Sequence, residues 1–278
     1  MPPACMVCSH QGFEPFLDIL LKCPVCGFVT ARLENPIDAR QIYQGAYFTG
    51  QEYLDYLGDE ALLKRNFRRR LKHIRKRCPG GRLLEIGSAY GFFLDLARAH
   101  FQTVGFEINW EAARHAREVL GLDVRTDDFL LADEHTIGGK VDVTVMWDVI
   151  EHLERPDRFL ARVAELSRSG AILCLTTGDV GSVLARWRGR KWRMIHPPSH
   201  LHYFDRNTIT RLLGNHGFEV IDIRAIGVAR SLRQILYSLL VLGLRLPVAY
   251  RVLESVIPAA WGVTLNTFDI MQVTASRR

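Results

Sequence analysis

Four cysteines open the chain as two matched pairs, Cys5-x-x-Cys8 and, after fourteen intervening residues, Cys23-x-x-Cys26. Pairs at that spacing sit on tight turns and let four thiolates grip one tetrahedral ion. Pro24 and Gly27 supply turn chemistry, while Phe13, Phe16, Leu17 and Phe28 offer only a minimal core. So small a core needs a metal to hold it. The expectation is a structural Zn2+ on Cys5, Cys8, Cys23 and Cys26 with no catalytic role. A redox dithiol and a nucleic-acid-reading finger are the alternatives to that reading. Cys78 and Cys174 stand alone and are expected as buried, inert thiols.

A second group of residues is built for a ligand rather than an ion. Arg82 to Gly91 reads as a short apolar strand, a glycine-bearing turn and a helix opening through Phe92, Phe93, Leu94, Leu96 and Ala97. Gly87 and Gly91 let main chain approach a ligand closely, and the helix start offers unpaired N–H groups. The next strand, Thr103 to Ile108, ends in Glu107 about twenty residues after the turn, where a carboxylate can accept both hydroxyls of a ribose. A third short strand leads to Thr126-Asp127-Asp128-Phe129. A fourth, Val141 to Met146, leads to Trp147-Asp148-Val149-Ile150-Glu151-His152-Leu153. Ala171 to Thr176 and Gly217 to Ile223 continue the alternation as fifth and sixth strands, and Asp269 to Thr274 is a seventh expected to insert antiparallel.

These pieces resemble the class I methyltransferases. Their first motif, acid-x-Gly-x-Gly-x-Gly, appears as Glu85-Ile86-Gly87-Ser88-Ala89-Tyr90-Gly91, with Ala89 in the middle glycine position. Asp148-Val149-Ile150-Glu151-His152-Leu153 is similar to the signature of small-molecule methyltransferases such as the quinone O-methylating enzymes. A nicotinamide dehydrogenase would show Gly-x-Gly-x-x-Gly instead. The resemblance implies an α/β fold with a doubly wound, seven-stranded, mainly parallel sheet. It also implies S-adenosylmethionine as cofactor, held by Glu85, Gly87, Ser88, Ala89, Tyr90, Gly91, Glu107, Ile108, Asp127, Asp128, Trp147 and Asp148. Of the two acids after the third strand, Asp127 is favoured as the partner of the adenine amino group.

In a doubly wound sheet ligands sit beyond the carboxyl ends of the strands, so the loops after the fourth and fifth strands should meet the acceptor. The fifth-strand loop runs basic and aromatic from Arg186 through Trp187, Arg188, Arg190, Lys191, Trp192 and Arg193, then through His196, His200, His202, Tyr203 and Phe204. Arginine forks suit phosphates. The expected acceptor is therefore a small molecule, phosphorylated or lipid-linked, such as a nucleotide sugar or lipid-linked intermediate, methylated most readily on oxygen. His200 or His196 is expected as general base with Asp148 as its orienting partner; a structural role tying the loop down is the competing reading. An RNA methyltransferase is the runner-up, although neither an Asn/Asp-Pro-Pro-aromatic tetrad nor a Pro-Cys nucleophile is present. A non-catalytic, cofactor-binding scaffold is the third reading.

Leu63, Phe67, Leu71 and Ile74 recur at helical spacing, with Lys64, Arg65, Arg68, Arg69, Arg70, Lys72, Arg75, Lys76 and Arg77 assigned to the other faces. Tyr43, Tyr47, Phe48, Tyr53 and Tyr56 before it suggest a lid. Residues 232–262 are unusually apolar, yet the uncharged run from Gln234 to Leu244 is too short to span a bilayer. With Arg233, Arg245 and Arg251 on its flanks it suits a membrane interface, a lid or a dimer contact. The organisation read from the chain is a zinc knuckle over 1–35, a helical lid and linker over 36–81, and a catalytic domain over 82–278 with an apolar insertion at 228–265. The 278 residues are 48% hydrophobic with a net charge of +6, which suits an anionic ligand without identifying one. No signal-peptide pattern opens the sequence, and six cysteines read as ligands and thiols rather than disulfides match a cytoplasmic chain.

Overall fold

The computed structural model describes residues 4–33, 56–237, 240–241, 245–258 and 261–278. Its centre is a seven-stranded sheet built from β4 (Arg82–Ile86), β5 (Gln102–Phe106), β6 (Val124–Arg125), β7 (Val141–Trp147), β8 (Ser167–Gly178), β10 (Phe218–Ala225) and β13 (Ile270–Arg277). The spatial order is β10-β13-β8-β7-β4-β5-β6. β4 pairs in parallel with β5 and β7, as do β5 with β6 and β7 with β8, while β13 runs antiparallel between β10 and β8. The seventh strand thus inserts as its sequence implied.

Period two along these strands divides the core into two layers. Leu84, Ile86, Val104, Phe106, Met146, Leu173 and Leu175 join one apolar cluster, whereas Leu83, Val143, Val145, Trp147, Ile172 and Cys174 join the other. Both faces are covered, which is why the central strands read as continuous apolar runs. Helix α1 (Glu60–Arg75), α2 (Phe92–Ala97) and α3 (Trp110–Glu118) cover the second face; α4 (Pro156–Leu166) packs on the first, and the short α5 (Val183–Arg188) follows β8. α1 buries Phe67, Leu71 and Ile74 as expected, but Leu62 is buried where Leu63 was expected and Leu63 is half-buried; the helix also buries Arg70 and His73. Arg70 therefore belongs to the inward face, not to the solvated faces where the basic run placed it.

The cysteine knuckle does not stand apart. Its strands β1 (Glu14–Phe16), β2 (Leu20–Lys22) and β3 (Val29–Ala31) form an antiparallel sheet whose fourth member is β9 (His202–Tyr203), from the loop after β8. Cys5, Val7, Cys23 and Phe28 share an apolar cluster with Phe204, Ile209, Leu212 and Leu213; the last three lie on α6 (Arg206–Asn215). An appendage with so few apolar residues of its own gains by borrowing a strand and a helix face.

After β10 the chain forms β11 (Val228–Ser231), α7 (Leu232–Leu236), α8 (Pro247–Val256) and β12 (Gly262–Leu265), with β11 and β12 paired antiparallel. No helix among the described residues is long and apolar enough to cross a membrane. Of the aromatic segment expected as a lid, Tyr43, Tyr47, Phe48 and Tyr53 lie outside the described residues; Tyr56 is buried and stacks on Tyr90 at 5.6 Å between ring centroids.

Candidate active site

A cavity of about 940 Å³ opens beyond the carboxyl ends of β4, β5, β6 and β7. One wall is the turn after β4. Gly87 has φ 73°, and a Cβ there would stand 2.5 Å from Val149 Cγ2, so both conformation and space demand glycine. Ala89, in the middle glycine position, adopts φ 45° despite its methyl group. Its N–H donates to Glu107 Oε2 at 2.7 Å, and the Asn109 N–H donates to Oε1 at 2.7 Å. The turn after β4 and the end of β5 are thereby locked through one carboxylate.

Glu85, Gly87, Ser88, Ala89, Glu107, Ile108, Asp127, Asp128, Trp147 and Asp148 all line the cavity, whereas Tyr90 and Gly91 stand outside its lining. Tyr90 is buried against Tyr56, Phe92 and His115. A Cβ on Gly91 would meet Leu122 Cδ1 at 2.7 Å, so this glycine serves the packing of the following helix. Asp128 caps a short 3-10 turn by accepting from the Leu130 N–H at 2.9 Å, and exposed Asp127 lies beside it on the cavity wall. Glu85 and Glu107 are both buried. Desolvation holds the carboxyl of Glu85 well above the usual range, with the Glu107 charge adding to it; desolvation also raises Glu107 against its backbone hydrogen bonds.

Arg70 is the principal cavity residue that the sequence did not single out. Its guanidinium lies 4.8 Å from the Trp147 ring centre and 3.7 Å from Asp148 Oδ2. Asp148, whose backbone is left-handed at φ 56°, is held by N–H bonds to the Thr176 carbonyl at 3.2 Å and hydroxyl at 3.0 Å. The signal for Arg70 was in the periodicity: it falls three residues after Phe67 and four before Ile74, on the buried stripe.

Glu151, His152, His196 and His200 also line the cavity. His152 and His200 pack edge to face at 4.5 Å between ring centroids, and His196 lies 3.8 Å from His200. The Nδ1 atoms of His152 and His200 face the carbonyls of Ser199 at 2.8 Å and Met194 at 2.9 Å. A carbonyl can only accept, so both Nδ1 atoms carry the proton and both Nε2 atoms keep a lone pair. Burial drives His152 down to about 4; burial, then the neighbouring histidines, drives His200 lower still. Glu151 is fully buried, and neither carboxylate oxygen has a well-formed hydrogen bond, although the Thr177 hydroxyl lies close enough to favour its charge. Burial first, and the Asp148 charge second, push it up to about 8. Ligand atoms of Glu151, His152 and His200 lie within 4.8 Å of one another, so this lone-pair-rich corner can receive hydroxyl donors or a divalent cation. Glu151 was legible only as part of the six-residue signature.

The fifth-strand loop divides by role. Trp192 is buried, and its Nε1–H donates to Asp269 Oδ2 at 2.8 Å; Arg193 bonds Asp269 Oδ1 at 2.9 Å and also lines the cavity. Trp187 stays exposed with Arg186, Arg188 and Arg190. The four N-terminal cysteines converge as their spacing implied. Their sulfurs lie within 4.8 Å of one another, with Cys5–Cys26 at 3.6 Å and Cys8–Cys23 at 3.5 Å. Zn–S bonds of about 2.3 Å in a tetrahedron put sulfurs roughly 3.8 Å apart, so the set fits zinc.

A family model described as a methyltransferase domain matches residues 60–223. A Mycolicibacterium smegmatis protein described as a probable S-adenosylmethionine-dependent methyltransferase is 27% identical over 176 residues, covering 63% of this chain and 66% of that protein, so the match spans about two thirds of that relative. Among solved structures, a SAM-dependent methyltransferase of Thermotoga maritima superposes with TM-score 0.53 at 16% identity, covering 87% of this chain and all of that one, 100%. Magnesium protoporphyrin IX methyltransferase of Synechocystis with bound SAM gives 0.52 at 15%, covering 88% and 100%. These structural likenesses speak to the fold.

Proposed function

The chain belongs to the methyltransferase domain family, and from that premise we propose that it moves a methyl group from S-adenosylmethionine to an oxygen of a sugar-containing or lipid-linked small molecule. The observation that carries this reading is one cavity with two unlike walls: a main-chain turn clasped by Glu107, and a corner of lone pairs supplied by Glu151, His152 and His200. The donor fits the first wall. The turn from Gly87 to Ala89 admits its backbone closely, Glu107 accepts the ribose hydroxyls, Asp127 takes the adenine amino group, and Arg70 offers a cation to the methionine carboxylate.

Methyl transfer is an in-line displacement at the sulfonium carbon, so the protein aligns the nucleophile and receives its proton. An acceptor hydroxyl donates readily into the second wall. Of the two histidines proposed for the proton, His196 is the more open to the cavity, whereas His200 is buried and its pKa is held well below the ordinary value by that burial. Asp148, ion-paired with Arg70, tethers the fourth-strand loop in this reading rather than orienting a histidine. Zinc on the four cysteines is proposed as structural, supporting the acceptor loop from outside. An RNA acceptor is the second reading, favoured by exposed Trp187 among Arg186, Arg188 and Arg190.

Calorimetry with S-adenosylmethionine, followed by labelled-methyl transfer into extracts with and without nuclease, tests these assignments. Micromolar donor binding and nuclease-resistant label in a small-molecule fraction are expected. Absence of heat with the donor would remove the reading, and label confined to RNA would exchange it for the second.

A further inference from the structure

We infer that α8 and the β11–β12 hairpin dock on an anionic phospholipid surface. Helix α8 is amphipathic the wrong way round for a helix resting on a protein core. Among its described side chains Tyr250 is buried, its hydroxyl bonded to Glu254 at 3.0 Å, while Val248, Val252 and Val256 are 73%, 64% and 72% exposed. Those valines recur every four residues and form one outward stripe. Trp261 at 59% and Phe268 at 69% exposure, with Val263 and Leu265 of β12 between them, add further exposed apolar surface in the same segment. An apolar patch of this kind on a folded chain marks a binding surface.

Charge selects the occupant. From residue 232 to 268 the cations are Arg233, Arg245 and Arg251, and the sole acid is Glu254, engaged with Tyr250. Arg245 and Arg251 are exposed beside the valine stripe. Arg69 donates to the Thr264 hydroxyl at 3.2 Å, which brings α1, with its exposed Arg65, Arg68 and Lys72, against β12. An apolar stripe and an aromatic residue rimmed by arginines and lysines suit an interfacial helix on anionic lipid. A second copy seated on the same face would oppose its own positive rim to an identical one.

The placement has a use. Val228, Ala229 and Ser231 of β11 line the cavity, and the Ala229 main chain is tied to Asn66 of α1 by bonds of 2.9 and 3.2 Å. One strand of the hairpin thus lines the cavity while its partner strand carries part of the docking surface, so an amphiphilic acceptor lying in the lipid would reach the site along it. That last step rests on the methyl-transfer reading; the docking does not.

The test is flotation of the full chain with vesicles of phosphatidylcholine alone and with added phosphatidylglycerol, with calorimetry against S-adenosylmethionine on the same preparations. At least tenfold tighter binding to the anionic vesicles is expected. Val252→Asp with Val256→Asp should abolish it while leaving donor affinity and melting temperature unchanged, because both side chains face solvent. Arg245→Ala and Arg251→Ala should each weaken anionic binding roughly fivefold. Equal flotation of the double aspartate variant overturns the inference, as does wild-type protein that ignores both vesicle types. A dimer seen by sedimentation, lost in that variant and unaccompanied by flotation, would assign the face to a second copy instead. Retained donor binding in any of these outcomes leaves the reading of the site standing.

Discussion

Single side chains decide whether the donor pocket exists. Glu107 accepts two backbone N–H groups and is proposed to accept ribose hydroxyls, each bond to a charged acceptor being worth about 1.5–3 kcal/mol. Glu107→Ala should therefore weaken S-adenosylmethionine binding by roughly a hundredfold, and Glu107→Gln, keeping one carbonyl oxygen, should recover part of it; calorimetry reads both. Arg70→Met, which preserves bulk over Trp147 but removes the charge, should cost about tenfold in donor affinity with little change in melting temperature. Unchanged affinity would place the donor's carboxylate elsewhere. Gly87, Glu107 and Asp127 could be placed at the cavity from sequence, because spacing along adjacent strand ends fixes where they fall. Arg70 and Glu151 could not be assigned roles in the same way. Arg70 shares a run with cations that do face water, and the importance of Glu151 comes from burial beside two histidines, one of them distant in the chain.

At the level of elements, the parallel sheet was legible because most of its strands carry a buried apolar run followed by a helix, a local signal repeated along the chain. The union of the knuckle with the acceptor loop was not, because β9 has two residues and pairs with β3 across more than 170 positions. That pairing carries a functional consequence. The Thr30 hydroxyl donates to the Leu201 carbonyl at 3.0 Å, the Ala31 N–H donates to the same carbonyl at 2.7 Å, and Phe28 packs on His202 and Phe204. If the four cysteines hold zinc as proposed, a knuckle without it loses a large part of the free energy that folds it, about 10 kcal/mol or more for comparable zinc modules. Stripping the metal with a chelator, or replacing Cys23 by Ser, should then loosen residues 199–204 and lower methyl transfer at least tenfold, while donor affinity changes less than twofold. Hydrogen exchange over the loop, read beside calorimetry, checks this; loss of donor binding in parallel would mean that the knuckle supports the whole domain rather than one wall.

Across the whole molecule, buried titratable groups of both kinds set the pH at which the fold is most stable. His73, His152 and His202 are each held near 4 against an ordinary 6.5, burial being the largest cause, and His200 is lower. Their folded values are depressed, so unfolding takes up protons below 6.5: the stability they contribute is complete above that pH and is lost as pH falls toward 4. Glu151 runs the other way. Its folded value is raised to about 8 from 4.5, so unfolding releases its proton between those limits, and the associated stability, complete below 4.5, is lost as pH rises through 8; Glu85 and Glu107 shift in the same direction. Each unmatched proton changes stability by about 1.4 kcal/mol per pH unit. Between 4.5 and 6.5 the two sets largely oppose each other, and above 6.5 only the carboxyls act. Melting temperature should therefore peak near pH 6.5, fall gently toward 4.5 and more steeply toward 8. Glu151→Gln removes one of the alkaline contributions without removing the side chain's volume, so its curve should lie above the wild type at pH 8 and converge with it near pH 4.5. Parallel curves for the two proteins across that range would mean that Glu151 is already ionised in the fold at neutral pH, with its charge met by a cation in the corner it shares with His152 and His200.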